Sequence, residues 1–105
     1  MLAITETAAK QIAEQHKATN ADTLLLRIAA KTNQDGSIEY GMGFDEATEH
    51  DIKVKQFDIE VLVDPKSAEL LEEATMDFVE LEAGQFHFIF SNPLDKNYTP
   101  SKKGS

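Results

Sequence analysis

Residues 86–93 read Phe86-His87-Phe88-Ile89-Phe90-Ser91-Asn92-Pro93. In an extended strand, alternation puts Phe86, Phe88 and Phe90 on one face and His87 on the other. Three aromatic rings on one pleated face are the strongest core signal in the chain, and they predict a strand over Gln85–Ser91 with those rings buried. The strand stops at the turn marked by Asn92-Pro93. Upstream, Met76–Leu81 predicts its hairpin partner, joined near Ala83-Gly84.

Further toward the N-terminus, Asp64-Pro65 predicts a helix start, with Asp64 as N-cap and proline at the first helical position. Ala68, Leu71 and Ala74, flanked by Leu70, supply its apolar stripe. Ile59–Val63 is a short strand. Ile52–Phe57 alternates apolar and charged, with Ile52 and Val54 opposite Lys53 and Lys55. Asn33–Ser37 is a turn, because Asp35-Gly36 favours a tight reversal. It joins strands over Thr23–Lys31 and Ile38–Phe44. Leu24, Leu26, Ile28 and Ala30 line one face of the first, and Gly41 and Gly43 loosen the second. The acidic loop Asp45–Asp51 follows. Thr5 caps an opening helix that carries Ala8, Ala9, Ile12 and Ala13 at helical spacing. Ile4 is placed to staple against Ala9.

The count is about seven short strands and two helices, a mainly β domain of α+β class over residues 1–93. Residues 94–105 are expected to form a flexible tail. From Asn92 onward the chain has two prolines, three lysines and too few apolar side chains to order itself.

At 105 residues the chain has the length of one domain. It contains no cysteine, which excludes disulfides, thiolate catalysis and cysteine-bound metal or iron–sulfur sites. The net charge is −9, and Lys96, Lys102 and Lys103 follow the last acid, so residues 1–95 carry −12. An acidic body repels phosphate, which argues against nucleic acid and anionic membrane as partners. No basic-then-apolar leader and no run near the ~20 apolar residues of a membrane span is present, so a cytoplasmic location is expected.

His16, His50 and His87 fall on a helix, in a loop and in a strand, with no helical metal-pair spacing. Glu69, Glu72, Glu73, Asp77, Glu80 and Glu82 read as a solvated face rather than as a catalytic pair. No nucleophile elbow and no phosphate-binding glycine loop occurs. Nothing in the sequence supports an enzyme.

Several short segments, in order, resemble the HesB-like, or A-type iron–sulfur carrier, family. Ile4–Ile12 resembles its first helix, and Leu26-Arg27-Ile28 its Leu-Arg-hydrophobic strand. Tyr40, Phe44 and Asp51-Ile52 match the next strand and the loop leaving it. Val61-Leu62-Val63-Asp64 is similar to its Val-Val-Val-Asp segment, and Met76-Asp77-Phe78-Val79 to its Leu-Asp-aromatic-Val. Phe90-Ser91-Asn92-Pro93 resembles its Phe-x-Asn-Pro. The resemblance spans about residues 1–102. It implies two small packed mixed β-sheets with the helices outside, often in a dimer or higher oligomer.

The family's three cluster-ligating cysteines fall, by this resemblance, at Asp35, Thr99 and Ser101, with Pro100 in place of a glycine. Iron–sulfur clusters are held chiefly by thiolates, and protonated hydroxyls are poor substitutes. The expectation is therefore a carrier-like domain with no cofactor, acting through a protein partner as a homodimer or as a heteromer with a family relative. The alternative is a divalent cation bound through oxygen and histidine ligands, with Asp35 and His50 as candidates.

Overall fold

A computed structural model of the chain describes residues 1–96. Thr5 sits in extended backbone, and its hydroxyl accepts the Ala8 amide at 3.1 Å, which starts α1 (Glu6–Thr19). The same hydroxyl donates to Asp77 Oδ1 at 2.7 Å, so one side chain caps the helix and ties it to a distant strand. Asn20 ends α1 in the left-handed region, which asparagine tolerates.

Just ahead of α1 lies a two-residue strand, β1 (Ala3–Ile4), that the sequence reading does not contain. It pairs in parallel with the strand after the second helix, a contact between residues about seventy apart in sequence. Local pattern cannot reveal such a pairing.

β2 (Leu24–Thr32) and β3 (Ile38–Glu46) form an antiparallel hairpin around Asp35-Gly36, with Gly36 at φ +90°. β4 (Ile52–Gln56) and β5 (Ile59–Val63) form a second hairpin, and β5 docks in parallel on β2. The result is a four-stranded sheet ordered β3-β2-β5-β4. Asp64 caps α2 (Pro65–Leu71) as expected, and β6 (Thr75–Glu82) and β7 (Gln85–Ser91) complete a three-stranded sheet ordered β1-β6-β7. Two mixed sheets and two helices confirm the fold class read from the sequence.

The core is aliphatic. Leu2, Ile4, Ala8, Ala9 and Ile12 meet Leu26, Ile28, Val54, Val61, Val63, Leu71, Ala74 and Met76 in one cluster. Each fully buried large aliphatic chain contributes about 1.5–3 kcal/mol of transfer free energy. Gln56 stitches the N-terminal segment to β4: it donates to Leu2 O at 2.7 Å and accepts the Ile4 amide at 2.8 Å.

The aromatic strand departs from its expected role. Phe86 is 52% exposed, and Phe88 and Phe90 are only partly buried against the core. β7 is an edge strand, so its rings are covered from one side alone. They meet neighbouring rings instead: Phe86 stacks on Phe78 at 5.6 Å, Phe88 lies tilted at 50° against the same Phe78 at 4.8 Å, and Phe90 lies face to face with Tyr40 of the other sheet at 4.4 Å. Ala74 is buried as expected, but beyond the end of α2 rather than on its stripe. Ser67, a residue without sequence signal, is buried in the helix.

Candidate functional site

The turn between β2 and β3 holds Asp35, the only described residue among the three positions matched to the family's cysteines. The Asn33 amide donates to Ser37 O, and the Gly36 amide donates to Asn33 O, closing a tight loop. Asp35 Oδ1 accepts from the Ser37 amide at 3.0 Å and from the Ser37 hydroxyl at 2.6 Å. The hydroxyl bond first, then the amide, hold its carboxyl below the ordinary carboxylate range. Lys96 reaches the turn from the other end of the chain. Its amide approaches Gly36 O at 3.4 Å and its Nζ lies 3.9 Å from Asp35 Oδ2. Thr99 and Ser101, the other two candidate positions, lie outside the described residues.

Asp35 is thus an anion already bonded within its own turn. Hard oxygen donors of this kind suit hard cations, whereas clusters of iron and sulfide take thiolates. With no cysteine anywhere in the sequence, the residues present do not fit an iron–sulfur cluster.

His50, the second candidate for a divalent cation, sits at the far end of β3 from Asp35. Nine residues of strand separate the two ends, about 27 Å at strand rise. The structure therefore does not bring them together. His50 is exposed beside Glu49 at 3.7 Å. Among the described residues, no group of three or more histidine, aspartate or glutamate side chains is placed to hold a metal ion.

Two acids of the 45–51 segment, Asp45 and Asp51, are occupied as well. Arg27 Nε donates to Asp45 Oδ2 at 3.0 Å, while its Nη1 and Nη2 donate to Asp51 at 2.6 and 2.8 Å. Nη2 also reaches Glu46 O at 3.1 Å. Asp51 further accepts the Thr48 amide at 2.7 Å. Its carboxyl is held well below the usual range, by Arg27 first and the Thr48 amide second. For Asp45 the Glu46 amide has the larger effect and Arg27 the next. The guanidinium is raised in turn, chiefly by Asp51. Strand alternation puts Arg27 on the face opposite Leu26 and Ile28, but nothing in the sequence signals that it fastens the loop.

His16, on α1, stacks against Phe44 at 6.1 Å and lines a cavity of about 290 Å³ with Ile12, Leu25, Leu26 and Ile59. Its Nε2 is buried and has no hydrogen-bond partner among the described residues. His87 is exposed on β7. The three histidines lie on three different elements and, among the described residues, share no metal-holding group.

The sequence profile of the iron–sulphur cluster biosynthesis family matches residues 1–101. The chain belongs to this family. The iron-sulfur cluster insertion protein ErpA of Alkalilimnicola ehrlichii is 34% identical over 93 residues, 88% of this chain and 75% of that protein. A Bacillus subtilis protein named SufA is 33% identical over 91 residues, covering 86% of this chain and 75% of its own length. Among solved structures, Escherichia coli SufA, described as involved in biosynthesis of iron-sulfur clusters, superposes with a TM-score of 0.76. The match covers 97% of this chain and 89% of that one at 21% identity, which speaks to the fold alone. As a member of the iron–sulphur cluster biosynthesis family, this chain keeps the two-sheet fold and lacks every cysteine.

Proposed function

We propose that this chain is a non-catalytic, cytoplasmic member of the iron–sulphur cluster biosynthesis family that works by protein–protein contact and does not itself carry a cluster. The observation that carries this reading is Asp35. At the turn where the family resemblance places a cysteine stands a carboxylate bonded to Ser37 and faced by Lys96, in a chain with no thiolate to offer. A fold kept intact beside lost ligands is what a binding module needs, because its surface acts and its ligand loop does not. The acidic body, −12 over residues 1–95, keeps such a module off nucleic acid and anionic membrane. Among the described residues no helix is long and apolar enough to cross a membrane.

Anaerobic incubation of the purified chain with iron and sulfide is the test, followed by iron and sulfide analysis and visible absorption. The expected result is bound iron and sulfide far below one cluster per chain and no charge-transfer bands. A stoichiometric, chromatographically stable cluster overturns the proposal. Tagged chain recovered from its native cells should co-purify with proteins of iron–sulfur assembly, in amounts that do not fall when iron is chelated.

A further inference from the structure

The third of the chain around β6 and β7 carries charge of one sign. Between Lys66 and Lys96 the sequence has seven acids and no lysine or arginine. Three of those acids, Asp77, Glu80 and Glu82, lie on β6. Asp77 accepts from the Thr5 hydroxyl and the Phe78 amide, and Glu80 accepts from the Gly84 amide, so neutral donors hold them and leave their charge uncompensated. Leu81, Phe86 and Ile89 stand exposed on the same hairpin.

β7 is also an open edge. Short length, charge and proline are the usual protections of an edge strand, and Gln85–Ser91 has seven residues with no charged side chain and no proline. Its free side follows from its neighbour. The Ala3 amide donates to Ala74 O and the Thr5 amide to Met76 O, so the even-numbered groups of this part of β6 point toward β1. The odd-numbered residues Thr75, Asp77 and Val79 therefore face β7, where they pair with Ser91, Ile89 and His87. The backbone groups of Phe86, Phe88 and Phe90 are left pointing outward. Among the described residues no backbone hydrogen bond reaches them from that side.

We propose that β7 is a docking edge for an extended segment of a partner protein in which lysine or arginine alternates with apolar residues. This deepens the reading of the chain as a binding module and rests on it. The added strand bonds to the backbone groups of Phe86, Phe88 and Phe90 and makes a four-stranded sheet. Its apolar side chains lie along the phenylalanine face, and its cations lie beside His87 with their stems over Ile89. Charge complementarity selects this occupant. The added strand sits two strand spacings from β6, about 9–10 Å, close to the screening length of about 10 Å at 0.1 M salt. At that range the carboxylates of β6 attract a basic segment and repel an acidic one. A second copy of this chain, as acidic as the first, is the occupant they disfavour at this edge.

The probe is a synthetic peptide, acetyl-Lys-Val-Arg-Val-Lys-Val-Arg-amide, titrated into the full chain. Binding should slow hydrogen exchange at the Phe86, Phe88 and Phe90 amides, and affinity should fall roughly tenfold between about 0.05 and 0.5 M salt. The same peptide with proline for each valine keeps the charge but cannot add as a strand, so it should bind about tenfold more weakly or worse. Ile89→Lys should weaken binding and Ile89→Glu should not. Phe86→Pro removes one outward N–H without adding charge, and it should weaken binding more than Phe86→Val does. Circular dichroism checks that each variant is folded, and the Ile89 pair decides if Phe86→Pro is not. Absence of binding at high micromolar peptide overturns the proposal. So does equal binding of the proline peptide, or unchanged exchange at the three amides. Amides already protected in the free chain mean that a second copy or residues 97–105 cover the edge, which overturns it as well. The binding-module reading fails separately. A chain that takes up a stoichiometric cluster and still binds the peptide loses that reading and keeps the edge. Undiminished co-purification of the Ile89→Lys chain with assembly proteins keeps the reading and loses the edge.

Discussion

Arg27 grips Asp51 with both terminal nitrogens, Nη1 to Oδ1 at 2.6 Å and Nη2 to Oδ2 at 2.8 Å. The Asp51 side chain is covered by its own loop and by Arg27 rather than sunk in the core, and it closes the segment between β3 and β4. A planar guanidinium meets a carboxylate in this two-pronged way and an ammonium cannot.

The pair makes stability depend on pH in a defined direction. Asp51 is more acidic in the folded chain than the unfolded value of about 3.9, so the unfolded state takes up protons first. Its contribution is complete above that value and is lost as pH falls. Urea midpoints should therefore decline from about pH 5 downward. Asp51→Asn should be less stable at pH 7 and show a shallower decline. Asp35 and Asp45, also lowered, supply the slope that remains. Parallel curves for the two proteins would contradict the assignment.

Ser67 takes over where β5 stops pairing with β2. The last registered pair is Ile28 with Val63, and two residues on, the Ser67 hydroxyl accepts the Ala30 amide at 3.0 Å and donates to Ala30 O at 3.3 Å. Ser67→Ala strands both groups and should cost about 1–3 kcal/mol in chemical denaturation, whereas Ser67→Thr, which keeps the hydroxyl, should cost less.

Asn92 gives a physical reason for the Asn in Phe90-Ser91-Asn92-Pro93. It is buried, donates from Nδ2 to Leu70 O at 2.7 Å and accepts the Leu94 amide on Oδ1 at 3.1 Å. One amide thus fastens the end of β7 to α2 and turns the chain toward the Asp35 loop. Asn92→Asp keeps the acceptor and loses the donor, so it should destabilise by about 1–3 kcal/mol at neutral pH. Lys96 amide protons should exchange faster in the variant.

Phe57 and Asp58 join β4 to β5 with φ of +50° and +65°. Both central residues of this tight turn are in the left-handed region, which asparagine and glycine enter more easily than phenylalanine. Phe57 is exposed and gives up little burial if replaced. Phe57→Asn should raise stability by roughly 1 kcal/mol, read from the thermal midpoint.

Segments whose chemistry is local were legible in the residues alone. Thr5 and Asp64 begin helices because their oxygens satisfy the first free amides, and Asp35-Gly36 turns because glycine accepts a positive φ. Together with strand alternation and helical spacing, those signals placed eight of the nine elements, all but β1, and the ordered motifs pointed to the family. The β4–β5 hairpin escaped notice as a turn because Phe57-Asp58 is not a turn pair. The missing cysteines were equally plain in the sequence, and so was the unsuitability of Asp35 for a cluster. Contacts between residues far apart along the chain came from the folded arrangement: β1 on β6, Arg27 on Asp51, Ser67 under Ala30, and the separation of Asp35 from His50. It also decided the role of the aromatic strand. Alternation shows which residues share a face, but burial depends on whether a neighbour covers that face. β7 lies at an edge, so its three phenylalanines form the margin of an aliphatic core instead of its centre.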